Sequence, residues 1–204
     1  GELLDKAKGL VRESMDQGAC AFATGMAYFP NSWSDTDELV ELCSVAQQAG
    51  GVYVTHLRTV NTDRAFGDGG VPEALEIGRR SGIPVHFSHY RTDASNAGQV
   101  AERVELIDKA KAKGVDCTLE LYPYPTGSSY PVSFLPSYAH EGGPDATMEL
   151  LRDPSERKKL VDFLDNDYPR PLDDAVFTYL PNDSELEGVS LPDIADGRGV
   201  SMGE

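Results

Sequence analysis

Two histidines open the case for chemistry. His56 closes the apolar run GVYVTHL (51–57) and His89 closes IPVHFSHY (83–90). Each imidazole offers a nitrogen to a divalent ion, and two imidazoles at matching heights on consecutive parallel strands can share one ion. Arg58 and Arg91 each follow their histidine by two residues. A guanidinium forks onto a carboxylate, so either could hold a substrate that carries one; the alternative is an ion pair with one of the chain's many acids. Tyr122 and Tyr124 place phenols that could hydrogen-bond to the same substrate or pack beneath a loop. Ser128 and Ser129 add hydroxyls nearby in sequence, but no GxSxG elbow surrounds them, so a serine nucleophile is not indicated. His86 lies three residues before His89, and strand alternation sends it to the opposite, helix-covered face as a core histidine. His140, beside Glu141, Gly142 and Gly143, reads as an exposed loop residue, and Asp63, Asp68 and Asp93 as solvated loop acids.

The elements that must carry these residues alternate between helix-period and strand-period patterns. Leu4, Ala7, Leu10, Val11 and Ser14 share a helix face that Gly18 ends, and a short apolar strand follows over 19–26. Ser34 and Asp37 form a capping-box pattern ahead of Leu39, Leu42, Cys43 and Ala46, and Gly50 and Gly51 close that helix. The second unit is a strand at 51–57, a loop over 58–70, and a helix that Pro72 opens and Gly82 ends. The third is a strand at 83–90 and a helix with Val100, Val104, Ile107 and Lys111 in register up to Gly114; the fourth strand is 115–122. With no hairpin signal between them, these strands call for parallel pairing through right-handed crossovers.

Thr24, His56, His89 and Tyr122 sit near successive strand ends, 32, 33 and 33 residues apart (56−24, 89−56, 122−89). Eight units in about 250 residues give roughly 31 per unit, so the period fits a TIM-type barrel. No GxGxxG follows any strand, which counts against a nucleotide-binding doubly wound sheet. The fold class expected is therefore α/β, a partial TIM-type (β/α) barrel of about four to five βα units, as one domain over 1–204. Beyond Tyr122, Pro123, Pro125, Gly127, Pro131 and Pro136 mark a long loop, followed by a helix around 154–164, a short strand at 175–180 and the start of a helical connection after 184.

Composition excludes several classes. The formal charge of −16 repels a polyanion, so no nucleic-acid partner is expected. No apolar run reaches the roughly 18 residues of a membrane span and no secretory signal opens the chain, so no membrane partner and a cytoplasmic location are expected. Cys20, Cys43 and Cys117 are scattered, without CxxC, and read as buried small residues rather than disulfides or ligands.

The runs GACAFATGMAYFPNSWSDTDELVELC, GGVYVTHLR, IPVHFSHYR, LELYPYPTGSS and ELEGVSLPDIA, in this order and spacing, resemble the N-acyl-D-amino-acid deacylases (D-aminoacylases) of the metal-dependent amidohydrolase superfamily. The resemblance implies zinc, one or two ions in the complete enzyme, held in part by His56 and His89. It implies contacts to a small N-acyl amino acid substrate from Arg91, where the family usually has lysine, and from Tyr122 and Ser128. It also implies an HxH pair on a first barrel strand, a bridging cysteine and a general-base aspartate on the last strand. None of these is in the chain, so no catalytic residue is assigned and an internal fragment, truncated at both ends and inactive alone, is expected. The activity implied is hydrolysis of an N-acyl-D-amino acid to a carboxylate and a D-amino acid. Alternatives are a cyclic-amide hydrolase of the dihydroorotase or hydantoinase type, which a strand-end lysine would favour and none of the seven lysines supplies, and a non-catalytic half-barrel.

Overall fold

A computed structural model describes residues 1–92, 96–169 and 172–204. The chain divides into two compact units, 1–127 and 128–204, where the sequence leads one to expect a single domain. The division falls where the strand–helix repeat stops, because nothing after β4 adds a strand to the sheet among the described residues.

The first unit runs α1 (Glu2–Asp16), β1 (Ala21–Gly25), α2 (Thr36–Gln48), β2 (Val52–His56), α3 (Gly70–Ser81), β3 (Val85–Phe87), α4 (Val100–Ala112) and β4 (Cys117–Leu119). The four strands pair in the order β1-β2-β3-β4, all parallel. Sequential order with a helix in each crossover is that of a barrel wall, whereas a doubly wound sheet reverses order at a switch point. Ala21 pairs with Val52, Tyr53 with Val85 and Val85 with Cys117, steps of 31, 32 and 32 residues (52−21, 85−53, 117−85).

Strand alternation gives the sheet two unlike faces. Phe22, Tyr53, Val85, Phe87 and Cys117 point to the helices and pack with Leu39, Cys43 and Ala46 of α2, Ala74 and Ile77 of α3, and Ile107 and Ala110 of α4. Tyr53, Val85 and Phe87 are at most 1% exposed, and full burial of such a side chain is worth roughly 1.5–3 kcal/mol. Val52, Val54, His56, His86 and Thr118 occupy the other face and are less buried.

Local signals set the helix ends. α2 is capped by Asp35, whose carboxylate accepts from the Glu38 amide at 2.8 Å, so the cap lies one residue beyond the Ser34 pattern. α3 ends at Gly82, whose φ of 73° is left-handed and costs little without a Cβ. In α4 the buried positions are Ile107 and Ala110, while Val100 and Val104, expected on the same face, are 58% and 40% exposed.

The second unit holds α5 (Pro144–Arg152), α6 (Pro154–Asn166) and α7 (Leu191–Arg198). α6 starts where the sequence places it, capped by Asp153, and Ser190 caps α7. The strand expected at 175–180 is not formed; its residue Val176 makes only an isolated antiparallel bridge to Ser190. Among the described residues no helix is long and apolar enough to cross a membrane.

Candidate metal centre

β2 ends on His56, and its alternation puts the imidazole on the face away from the helices, since Tyr53 and Thr55 face them. The His56 carbonyl accepts from the Met26 amide at 3.0 Å and from the Thr55 hydroxyl at 3.1 Å, fixing the strand end against β1. His89 reaches the same place by a different route. β3 is regular only to Phe87, and Phe87 and Tyr90 both lie in the helix-side core. Two residues, Ser88 and His89, thus stand between two inward-packed ones where strict alternation allows one. His89 takes up the extra residue at φ 37°, a left-handed conformation that few non-glycine residues adopt and that costs energy to hold. This insertion accounts for the separation of 33 between the histidines against a ladder offset of 32.

The consequence is contact. His56 Nδ1 lies 2.8 Å from His89 Nε2, and the rings meet edge to face with centroids 4.5 Å apart. One nitrogen donates and the other accepts, so in this arrangement they hold a proton between them. Zinc bonds of about 2.0–2.1 Å in a tetrahedral set would place two ligand nitrogens roughly 3.3 Å apart. The observed 2.8 Å is about 0.5 Å short of that and the two nitrogens face each other, so both rings must part and turn towards a common point before the pair can serve as two ligands of one divalent ion. No group of three or more His, Cys, Asp or Glu that could hold a metal occurs among the described residues, so the pair is a partial donor set.

Around the pair, the Tyr28 ring lies 5.0 Å from the His56 ring and the Tyr122 ring 6.4 Å from the His89 ring. The Arg91 guanidinium carbon stands 5.4 Å from the centre of the Tyr122 ring, while the residue is otherwise exposed. Gly127 makes room for it: a Cβ there would come within 2.9 Å of Arg91 Nη2 and 3.5 Å of Tyr122 Oη. The structure therefore gathers His56, His89, Arg91 and Tyr122. Ser128 is exposed at the start of the second unit. Tyr28 was missed from the sequence because an aromatic in a loop carries no periodicity.

Several expectations are corrected. His86 does not face the helices; it shares the other face with His56, its Nδ1 2.7 Å from the Thr118 hydroxyl, because the insertion at 88–89 breaks the alternation on which the inference rested. Arg58 presents no cation to solvent. It is 2% exposed and forks onto Glu73, Nε to Oε2 at 2.8 Å and Nη2 to Oε1 at 3.0 Å. Glu73 lies in the first turn of α3 and points inward, where an unpaired carboxylate would be costly. His140 is half-buried and donates to the Leu135 carbonyl at 3.2 Å. Cys20 is exposed, while Cys43 and Cys117 are buried as expected, and burial pushes both thiols up. Asp63 and Asp68 are exposed, and Asp93 lies outside the described residues.

No protein-family model matches the chain. An N-acyl-D-glutamate deacylase of Alcaligenes xylosoxydans xylosoxydans is 36% identical over 121 residues, 59% of this chain and 24% of that protein. A D-aminoacylase structure, solved in work on the functional role of its binuclear metal centre, superposes with a TM-score of 0.68 at 26% identity, over 99% of this chain and 35% of the other. Over part of its length the chain is similar to N-acyl-D-amino-acid deacylases. A further member, the N-acyl-D-glutamate deacylase of Bordetella bronchiseptica complexed with zinc and a phosphonate mimic of the tetrahedral intermediate, shares the fold with a TM-score of 0.69 at 24% identity. The chain thus spans about a quarter of the curated deacylase it matches and about a third of the solved ones.

Proposed function

We propose that this chain is the part of a zinc-dependent N-acyl-D-amino-acid deacylase that contributes two metal ligands and the substrate's anchoring groups. The single observation carrying the reading is the convergence of His56 Nδ1 and His89 Nε2 to 2.8 Å at the ends of adjacent parallel strands, in a chain related to deacylases. The four strands would be consecutive staves of a TIM-type barrel, with their less buried face turned to its interior.

His56 and His89 would hold the ion. A zinc ion there supplies a Lewis acid for the scissile carbonyl and acidifies water towards a pKa of about 7. This chain's own residues bind and orient. Arg91, exposed beyond β3, would fork onto the substrate α-carboxylate, and the aromatic face of Tyr122 restricts where that guanidinium can swing. The Tyr122 hydroxyl would add a hydrogen bond to the same small N-acyl amino acid. A carboxylate anchored beside the histidine pair brings the amide, whose nitrogen is on the same α-carbon, towards the metal, and holding it there removes much of the entropy cost of the encounter. The general base would come from outside this chain. A cytoplasmic setting goes with this reading, as free, buried Cys43 and Cys117 suit a reducing compartment.

The test is a chimera in which this chain replaces the matching stretch of the N-acyl-D-glutamate deacylase. It should release D-amino acid from N-acyl-D-amino acids, and His56→Ala or His89→Ala should abolish both turnover and tight zinc. A folded chimera whose turnover and zinc content ignore both substitutions would refute the reading.

A further inference from the structure

We propose that Arg58 is a positioning residue for His56: it fixes the aromatic wall against which that imidazole is oriented. The inference rests on the proposed function only for what His56 is oriented to hold.

The guanidinium uses its full fork. Beyond the two bonds to Glu73, Nη1 donates to the Ser32 carbonyl and Nη2 to the Ser34 carbonyl, both at 2.7 Å. These two carbonyls belong to the loop that leaves β1 and carries Tyr28. The side chains of Arg58 and Glu73 are 0% and 3% exposed, so the bonds form out of water, where they are strongest. Glu73 Oε1 also accepts from the Thr36 hydroxyl at 3.0 Å, and Thr36 in turn accepts from the Phe66 amide at 2.9 Å. One buried network therefore ties the β1–α2 loop, the segment after β2 and the first turn of α3. Gly69 is packed onto its aliphatic stem; a Cβ there would lie 3.1 Å from Arg58 Cδ.

The link to His56 is short. Arg58 follows it by two residues, and the loop Arg58 pins is the one whose Tyr28 ring lies 5.0 Å from the His56 ring. At its start, that loop takes the His56 carbonyl through the Met26 amide. Backbone is thus held at the beginning of the loop and again at Ser32 and Ser34, with Tyr28 between. An ammonium could not replace this function fully, because one point donor group cannot fork onto a carboxylate and reach two carbonyls in the same plane.

The experiment uses the full 204-residue chain, with ring nitrogens of histidine labelled for NMR. In the parent chain, Tyr28–His56 ring cross-peaks and a single His56 tautomer are expected. Arg58→Met combined with Glu73→Gln removes both charges while leaving Thr36 an acceptor; it should lose the cross-peaks and average the two His56 tautomers. Arg58→Lys should retain the cross-peaks at reduced intensity. A merely structural pin would lower the unfolding midpoint but leave the ring signature of the folded molecules unchanged. Parent-level cross-peaks and a single tautomer in the double variant would overturn the proposal; if that variant does not fold, the same result in Arg58→Lys would do so. Failure of the chimera to bind zinc tightly, with the ring signatures of the 204-residue chain responding as described, would count against the proposed function and leave this inference standing.

Discussion

Gly78→Ala and Gly9→Ala make the same chemical change in two helices and should move stability in opposite directions. Gly9 lies in α1 with nothing within 4 Å of where its Cβ would go, so alanine there only removes unfolded-chain freedom and should stabilise by about 0.5–1 kcal/mol. Gly78 lies in α3 against β3. A Cβ there would fall 2.5 Å from Val85 Cγ2 and 3.2 Å from Val115 Cγ1, both residues in the core. Val85 is β-branched, 1% exposed and held in the ladder to β2 and β4, so it cannot turn away. The helix must shift instead, and overpacking of this kind costs about 1–3 kcal/mol; after the helix-propensity gain, a net loss of about 0.5–2 kcal/mol is expected. Trp33 is the only tryptophan and lies in the first unit, so its fluorescence in a urea titration reports the right transition. If Gly78→Ala were as stabilising as Gly9→Ala, the close packing of α3 on the strand that leads to His89 would be wrong.

Further outcomes follow from the same structure. Arg58→Met alone leaves the Glu73 carboxylate buried without its cation and should cost about 3–5 kcal/mol by urea unfolding, with Glu73→Gln added recovering part of it. A thiol reagent should titrate Cys20 rapidly in the native chain and reach Cys43 and Cys117 only on unfolding, because burial keeps those two protonated and inaccessible. The Asp153 carboxyl is held below the usual range by the Ser155 hydroxyl and the Glu156 and Ser155 amides that it caps. A depressed carboxyl stabilises the fold above its unfolded value near 3.9, and this is lost as pH falls through the lower folded value. Helicity in the parent chain should therefore drop on acidification below about pH 4 more than in Asp153→Ala, measured by circular dichroism.

What the sequence disclosed was set by periodicity. The four strands, the three crossover helices and the placement of His56 and His89 at strand ends follow from apolar spacing and glycine stops, which are local. The side on which His86 lies is not local: it turns on one extra residue at 88–89, and a period-two pattern cannot show where alternation lapses. Arg58 was legible as a cation near a histidine, but its partner is fifteen residues away in a helix turned inward, so its burial depended on packing. The 175–180 run has strand composition but, among the described residues, pairs only through one isolated bridge, and propensity without a partner does not make a sheet.

The central claim is that His56 and His89 form one divalent-ion site, and histidine-selective NMR during a zinc titration tests it most directly. With four histidines in the chain, each ring can be followed. Zinc should perturb His56 Nδ1 and His89 Nε2 together and first, with His86 and His140 unmoved, and either alanine substitution should abolish the response of the remaining partner. A response led by His86 or His140, or one in which His56 and His89 titrate independently, would contradict the account.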